Sequence, residues 1–210
     1  MGKIKANRIL CLGNSITRHP PKADFGWMGN WGMAASAADK DYAHLLVERF
    51  TAAAGVAPEV MIETIVDFER GFATFDLDAG LKKVVAFKPD VVVLAIGENV
   101  VPPLTTDAAK TAFKTAMDRL LAKLKQSGNV NIFVRSSFWP NATTDGIMRE
   151  ACREAGGTFV DIERLSQDES NYARSERNID HKGVAEHPGD KGMQAIAEAI
   201  WAAIAAKMGL

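Results

Sequence analysis

The sequence predicts an α/β protein, a three-layer α/β/α sandwich with a five-stranded parallel sheet of the flavodoxin-like type. Short apolar runs alternate along the chain with longer segments of helical periodicity. The run Val91-Val92-Val93-Leu94-Ala95-Ile96 is continuously apolar, which is typical of a central parallel strand covered on both faces. With 210 residues and a hydrophobic content of 47%, the chain is long enough for one sizeable core, so we expect a single domain over residues 1–210.

Five segments have the length and apolar content of strands: residues 8–12, 60–66, 91–96, 130–135 and 158–162. Helical patterns cover residues 34–54, 77–87, 107–125, 145–155 and 191–207. We expect Asp190 to be the N-cap of the last helix and Gly209 to end it. Because crossovers between parallel strands are right-handed, this alternation places helices on both faces of the sheet.

The composition narrows the range of partners. The formal charge is −1, from 25 basic and 26 acidic residues, so neither nucleic acid nor an anionic membrane is an expected partner. Residues 1–5 lack the apolar stretch of a signal peptide, so we expect a cytoplasmic protein unless an export signal has been removed. Two cysteines and four histidines without zinc spacing predict no disulfide framework, no metal and no cofactor. The oligomeric state is left open.

Chemistry-bearing residues follow several of the predicted strands. Ser15 comes directly after the first strand, and Gly71 lies in the predicted loop after the second. Asn99 follows the third strand, and His187 precedes the last helix. The carboxyl ends of parallel strands meet at one edge of a sheet, so these residues are expected to converge there. A serine, a histidine and hydrogen-bond donors at one place are what acyl transfer requires.

These segments together resemble the SGNH (GDSL-type) hydrolases. Gly13-Asn14-Ser15-Ile16 is similar to the Gly-Asp-Ser-Leu block of that family, with Asn in place of Asp. Gly97-Glu98-Asn99 is similar to its Gly-x-Asn-Asp block, although Val100 replaces the last Asp. His187-Pro188 resembles the terminal His block, and Gly71 falls about where the glycine of the second block would lie. The resemblance implies the SGNH hydrolase fold and esterase or lipase activity.

The resemblance also implies roles. Ser15 is the expected nucleophile, forming an acyl-enzyme, and His187 is the expected general base. The backbone N–H groups of Ser15 and Gly71, with the side chain of Asn99, are the expected oxyanion hole.

The group that orients the histidine departs from the family pattern. The family usually carries Asp three residues before the His, where this chain has Val184. Asp180, Glu186 or a backbone carbonyl near Val184 could accept the hydrogen bond from the imidazole instead. We favour a Ser–His dyad assisted by a carbonyl or by Asp180.

The predicted function is hydrolysis of short-chain acyl esters, above all acetyl esters, with small molecules or carbohydrates as substrates. No apolar lid helix that would shelter a long chain is evident. The alternative is a flavodoxin-like module that binds a small molecule or a carbohydrate without catalysis, which a large separation of Ser15 and His187 would favour. An α/β-hydrolase is disfavoured because Thr17 stands where its Gly-x-Ser-x-Gly motif needs glycine.

Four further groups of residues have two interpretations each. The loop containing Trp27 and Trp31 forms either a sugar-stacking wall or plain packing, and so does Trp139. Arg18 and His19 either line the mouth of the site or are exposed polar residues. Glu69 and Arg70 form either a loop salt bridge or a contact to ligand.

Overall fold

The computed structural model describes residues 6–126 and 128–209, and within these ranges the predicted fold class is confirmed. A parallel sheet has the strand order β2-β1-β3-β4-β5, which is the flavodoxin-like order, and helices cover both faces. The strands are β1 (Arg8–Gly13), β2 (Glu59–Thr64), β3 (Val91–Ala95), β4 (Asn131–Arg135) and β5 (Thr158–Val160). The α-helices are α1 (Tyr42–Ala54), α2 (Val66–Gly71), α3 (Leu77–Gly80), α4 (Lys82–Phe87), α5 (Asp107–Lys125), α6 (Ala142–Glu154), α7 (Lys182–Ala185) and α8 (Asp190–Met208). Short 3-10 turns occupy Ala23–Phe25, Ala38–Lys40, Glu163–Gln167, Glu169–Asn171 and Ala173–Ser175.

Alternation along the central strands divides the core into two layers. Leu10 and Leu12 of β1 pack in the layer that contains α5 and α6. Ile9 and Cys11 pack in the opposite layer, against α1 and α8. Since successive side chains of a strand point to opposite faces, a strand buried on both sides has to be apolar throughout. This is why β3 is an unbroken apolar run.

Two predicted helices differ from the structure. The segment predicted as a helix over 34–54 winds as an α-helix only from Tyr42, because the Asp41 carboxylate accepts the His44 N–H as its N-cap. The segment predicted over 77–87 is divided into α3 and α4 at Leu81. Residues 107–125 form a helix with the predicted bounds.

The expected loop after β2 is instead the short helix α2. Asp67 and Glu69 lie in its first turn, where carboxylates interact favourably with the helix dipole. The structure therefore carries Gly71 away from the strand end, along a helical path.

The start of α8 is stabilised differently from the prediction. Gly189, not Asp190, is the N-cap. The free N–H groups of Asp190 and Lys191 donate to the Glu176 carboxylate at 2.8 and 2.7 Å, which performs the task expected of a capping side chain. Asp190 instead accepts the backbone N–H of Ser36 at 2.7 Å. Gly209 ends the helix with φ of 70°, as predicted.

Two expectations concern a membrane-spanning segment and a signal peptide. None of the helices within 6–126 and 128–209 combines the length and the apolar character needed to cross a bilayer. Residues 1–5, in which we expect no signal peptide, lie outside the described residues.

Candidate active site

Ser15 lies on a tight turn at the end of β1. The carbonyl of Asn14 accepts the N–H groups of Thr17 and Arg18 at 2.9 and 3.0 Å, so the chain makes one turn and presents Ser15 at the sheet edge. Gly13 permits this turn, because a Cβ there would lie 2.0 Å from Thr17 Oγ1 and 2.5 Å from the Ala95 carbonyl. No continuous helix follows Ser15; the next α-helix begins at Tyr42. Ser15 is therefore not a helix N-cap.

The structure brings His187 to Ser15 across 172 positions of sequence. His187 Nε2 lies 2.8 Å from Ser15 Oγ, and His187 Nδ1 lies 2.7 Å from the carbonyl oxygen of Gly183. A carbonyl only accepts, so the proton of the neutral ring is on Nδ1. The Nε2 lone pair is then directed at the serine hydroxyl. This is the tautomer that a general base needs.

Of the three groups that could orient His187, the one that contacts the imidazole is a backbone carbonyl. Gly183 O occupies the ring nitrogen that an acid would bind. Glu186 faces Lys182, with its Oε1 3.7 Å from Lys182 Nζ. Val184, where the family usually has Asp, is buried in a small apolar cluster with Trp27 and Ala173. Asp180 is exposed.

The surroundings keep the imidazole neutral. Burial lowers the pKa of His187 below its ordinary value, and the hydrogen bond to Gly183 offsets part of this effect. The Trp139 ring packs edge-on against the imidazole, with centroids 5.2 Å apart. Trp139 therefore contacts the candidate base itself.

Asn99 and Ser15 line one cavity, and a carboxylate holds Asn99 in place. Its backbone N–H donates to Glu69 Oε1 at 3.0 Å, and its side-chain Nδ2 donates to Glu69 Oε2 at 3.3 Å. An amide NH₂ has two hydrogens, so the second remains for an oxyanion. Glu69 also accepts the Gly97 N–H at 2.7 Å. The Glu69 carboxylate thus holds the turn that carries Asn99 in place.

Asn14 joins Glu69 to a second buried carboxylate. Asn14 Nδ2 lies 2.7 Å from Glu98 Oε2 and 3.3 Å from Glu69 Oε1. Glu98 Oε1 accepts Arg135 Nη1 at 2.6 Å and the Phe138 N–H at 2.8 Å. Asn14, Glu69 and Arg135 are fully buried, and the Glu98 side chain is 2% exposed. A polar network therefore underlies the turn of Ser15.

The pKa values of the Glu69 and Glu98 carboxylates are shifted in opposite directions. Burial and the nearby charge of Glu98 raise the pKa of Glu69 to about 7. Burial is the largest single influence and acts to raise the pKa of Glu98, but the Arg135 charge and the hydrogen bonds from Phe138, Arg135 and Asn14 together hold this pKa below its ordinary value. Near neutral pH, Glu98 is therefore the ionised partner of Arg135, and Glu69 is the group that gains or loses a proton.

Gly71 does not lie at the site. It is the last residue of α2, and its carbonyl accepts the N–H groups of Thr74 and Phe75. Val66, the first residue of α2, lines the cavity beside Ser15 instead. The first N–H groups of a helix have no acceptor within it, so the backbone at Val66 is better placed to donate than Gly71. The structure therefore does not bring Gly71, the predicted oxyanion donor, together with Ser15, Asn99 and His187 in the cavity lining.

A cavity of about 410 Å³ opens above these residues. Ser15, Asn99 and His187 line one part of it, and Phe25, Met33 and Val66 provide apolar surface. Arg18, His19 and Arg70 also line the cavity. For Arg18 and His19 this favours the interpretation that they line the mouth of the site. The site can therefore take a small ligand with its reacting atom near Ser15.

The tryptophans of the long loop pack against the protein. Trp27 is 7% exposed, and its indole N–H donates to the carbonyl of His19. Trp31 donates in the same way to the carbonyl of Ala35, and the two rings are in edge contact. Both residues therefore hold the loop together, and Phe25 is the aromatic residue that faces the cavity.

The buried carboxylates are what sequence reasoning missed. Glu69 binds the Asn99 turn rather than pairing with Arg70. One signal was available, because Arg135 follows the apolar run Ile132–Val134 within β4, and a charge in a buried strand requires a buried partner.

Comparisons with known proteins identify the family of the chain. A family model described as the GDSL-like lipase/acylhydrolase family matches residues 11–195, which confirms the resemblance of the motifs. No curated protein matches the chain.

Solved structures share the fold at low sequence identity. A two-domain esterase active on acetylated mannans has a TM-score of 0.66 and 18% identity; the match covers 98% of this chain but only half of that esterase. A protein of Bacteroides uniformis described as a GDSL-like lipase has a TM-score of 0.61 and 16% identity, with 96% of each chain covered. An acetyl xylan esterase of Butyrivibrio proteoclasticus has a TM-score of 0.57 and 13% identity, with 99% of this chain and 65% of that one covered.

Proposed function

The chain belongs to the GDSL-like lipase/acylhydrolase family, and from this we propose that it is a serine esterase with Ser15 as nucleophile and His187 as general base. The observation that carries the proposal is the 2.8 Å contact between Ser15 Oγ and His187 Nε2, with Nδ1 occupied by the Gly183 carbonyl. The condition that would favour a non-catalytic binding module, a large separation of these two residues, is not met.

The geometry supports a two-step reaction. His187 Nε2 takes the proton of Ser15 as the Oγ atom attacks the ester carbonyl. The negative oxygen that forms is stabilised by the Ser15 N–H and the second Asn99 Nδ2 hydrogen. The intermediate then collapses, and the alkoxide leaves with the proton from His187. Water, deprotonated by the same ring, hydrolyses the acyl-enzyme and frees Ser15.

The proposed machinery is a dyad rather than a triad. The Gly183 carbonyl selects the Nδ1–H tautomer, which is one of the two tasks of the usual acid. It supplies no negative charge, so it stabilises the imidazolium of the transition state less than a carboxylate does. We therefore expect slower turnover than in relatives with a full triad.

The proposed substrates are short acyl esters, with acetylated carbohydrates as the favoured class. A cavity of about 410 Å³ suits a small ligand. Two of the structural neighbours are esterases named for acetylated polysaccharides, a mannan and a xylan. At 18% and 13% identity both show the fold alone, and a panel of esters tests the substrate class.

A fluorophosphonate probe tests the proposal directly. We expect intact-mass analysis to show one adduct on the wild type and on the Ser166→Ala control, and none on Ser15→Ala. Hydrolysis of p-nitrophenyl acetate should fall by about a thousandfold or more in Ser15→Ala and His187→Ala. A folded wild type that is neither labelled nor active would instead favour the binding module.

The acyl preference has its own test. A panel of p-nitrophenyl esters and acetylated sugars should show a higher kcat/KM for acetate than for long-chain esters. The reverse order would refute the short-chain assignment and leave the nucleophile unaffected.

A further inference from the structure

The wall of the cavity beside Ser15 is basic. Of its described residues none is Asp or Glu, whereas Arg18 and Arg70 both contribute to it, together with His19. The chain as a whole carries a formal charge of −1. The absence of carboxylates from this wall is therefore a local feature rather than a consequence of overall composition. A wall of this kind attracts anions to the reacting serine.

The two arginines of the wall differ in what holds them. Arg18 is tied down: its Nε donates to Asn30 at 3.1 Å and its Nη1 to the Ile62 carbonyl at 3.2 Å. Glu63 lies 3.8 Å from the same Nη1. The charge and donors of Arg18 are thus largely engaged within the protein.

Arg70 has no such partners. Its side chain is exposed, and it forms neither an ion pair nor a hydrogen bond with any residue within 6–126 and 128–209. Its backbone is nevertheless well fixed, because the preceding residue, Glu69, is fully buried and its carbonyl accepts the Val101 N–H at 3.0 Å. Arg70 therefore presents an uncommitted guanidinium from a rigid position on the cavity wall.

We propose that Arg70 is a specificity-determining residue that binds a carboxylate on the alcohol half of the ester substrate. The proposal rests on the proposed esterase function. A guanidinium is planar and donates two parallel hydrogen bonds to a carboxylate, which makes it the natural partner of that group. Because the proposed acyl group is short, the alcohol half is the part of the substrate large enough to reach the wall. An acidic sugar that carries an acetyl ester has this chemistry.

The test compares two esters that differ only in charge. 4-Acetoxybenzoate carries a carboxylate on the alcohol half, and 4-acetoxybenzamide replaces it with a neutral group of the same shape. We expect the ratio of kcat/KM for benzoate over benzamide to fall about tenfold in Arg70→Gln, mainly through KM, because solvent weakens the two hydrogen bonds of an exposed guanidinium. Arg70→Lys should keep part of the ratio.

The control makes the same charge change elsewhere. Arg153→Gln lies at the C-terminal end of α6, with a side chain that is 77% exposed, and should retain the wild-type ratio. Added salt should raise the KM of the wild type for the benzoate and have less effect on Arg70→Gln. If Arg70→Gln lowers kcat/KM equally for both esters, so that the benzoate-to-benzamide ratio is unchanged, the proposal is refuted even though the enzyme is an esterase.

Binding separates this proposal from the esterase assignment. If the wild type hydrolyses neither ester, the proposed function fails. Calorimetric titration of the wild type and of Arg70→Gln with 4-acetoxybenzoate and 4-acetoxybenzamide then still decides the role of Arg70. Binding that depends on both the carboxylate and Arg70 supports the proposal, and equal or absent binding of the two compounds refutes it.

Discussion

Replacing Asn14 by aspartate restores the residue usual in the Gly-Asp-Ser-Leu block, and in this chain we expect it to be destabilising. Asn14 Nδ2 donates to the carboxylates of Glu98 and Glu69, and all three side chains are at most 2% exposed. An ionised aspartate would remove both hydrogen bonds and place a third carboxylate among them. Two unit charges about 4 Å apart repel by about 4 kcal/mol at an effective dielectric constant of about 20.

The size of the destabilisation follows from protonating the new aspartate, which costs less free energy than keeping it ionised. A neutral aspartic acid at this position keeps one O–H to donate to Glu98, and holding that proton costs about 1.36 kcal/mol for each pH unit above the ordinary pKa of about 3.9. The loss in the free energy of unfolding is therefore roughly 1.5 kcal/mol at pH 5 and roughly 5.6 kcal/mol at pH 8. The second value is a large part of the roughly 5–15 kcal/mol typical of a whole domain.

Urea unfolding at pH 5, 6.5 and 8 measures this loss. Asn14→Asp, Asn14→Ala and the exposed control Asn178→Asp should be compared with the wild type at each pH. We expect the deficit of Asn14→Asp to grow by about 1.4 kcal/mol per pH unit, while that of Asn14→Ala stays nearly constant. A deficit of Asn14→Asp that is independent of pH, or as small as that of Asn178→Asp, would refute the reasoning.

Four further predictions follow from the same contacts. Asn99→Ala should lower kcat by roughly 10²–10³-fold with little change in KM, since it removes an oxyanion donor; steady-state kinetics in which only KM rises would argue against that role. The acid limb of the kcat/KM profile should have an apparent pKa below 6.5, because burial lowers the pKa of His187 and the neutral ring is the base; an apparent pKa above about 7 would contradict this. Glu69 has a folded pKa of about 7, above its unfolded value, so its contribution to stability is complete below about pH 4.5 and is lost as the pH rises to about 7. Thermal unfolding of Glu69→Gln should lack this decline in stability. An unchanged decline would exclude Glu69 as its source. Gly97→Ala should destabilise by roughly 1–3 kcal/mol in chemical unfolding, because φ is 125° and a Cβ would lie 2.4 Å from Ser137 Oγ; wild-type stability would show that the turn relaxes freely.

Much of the fold and part of the site could be predicted from sequence because they depend on local patterns. Residues 107–125 have an apolar face with helical spacing, and their helix has the predicted bounds. The apolar run at 91–96 indicated a central strand, and β3 is central. The sequence points to Ser15 and His187 because Ser15 follows a strand and His187 precedes a helix at one sheet edge, and the structure places Ser15 Oγ 2.8 Å from His187 Nε2.

The position of Gly71 away from the site has a physical reason. Gly71 was expected at a strand end, but the chain winds into α2 immediately after β2, and a helix advances only about 1.5 Å per residue in a new direction. Whether a polar segment of six residues is loop or helix depends on what covers it. Here Phe68 and Glu69 are both buried by the rest of the protein.

What the sequence by itself determined is the order of the five strands and of the long helices, the family, and the identity of the candidate nucleophile and base, because each depends on residues that are neighbours in the chain. Only the tertiary structure decided that a carbonyl at Gly183 orients the base, and that Asn14 links two buried carboxylates. Glu69 and Glu98 lie 55 and 84 residues from Asn14 in the chain. A charge such as Arg135 in an apolar strand signals that a buried partner exists, but no local pattern names that partner, since the free energy of a buried charge depends on which donors the completed fold places around it.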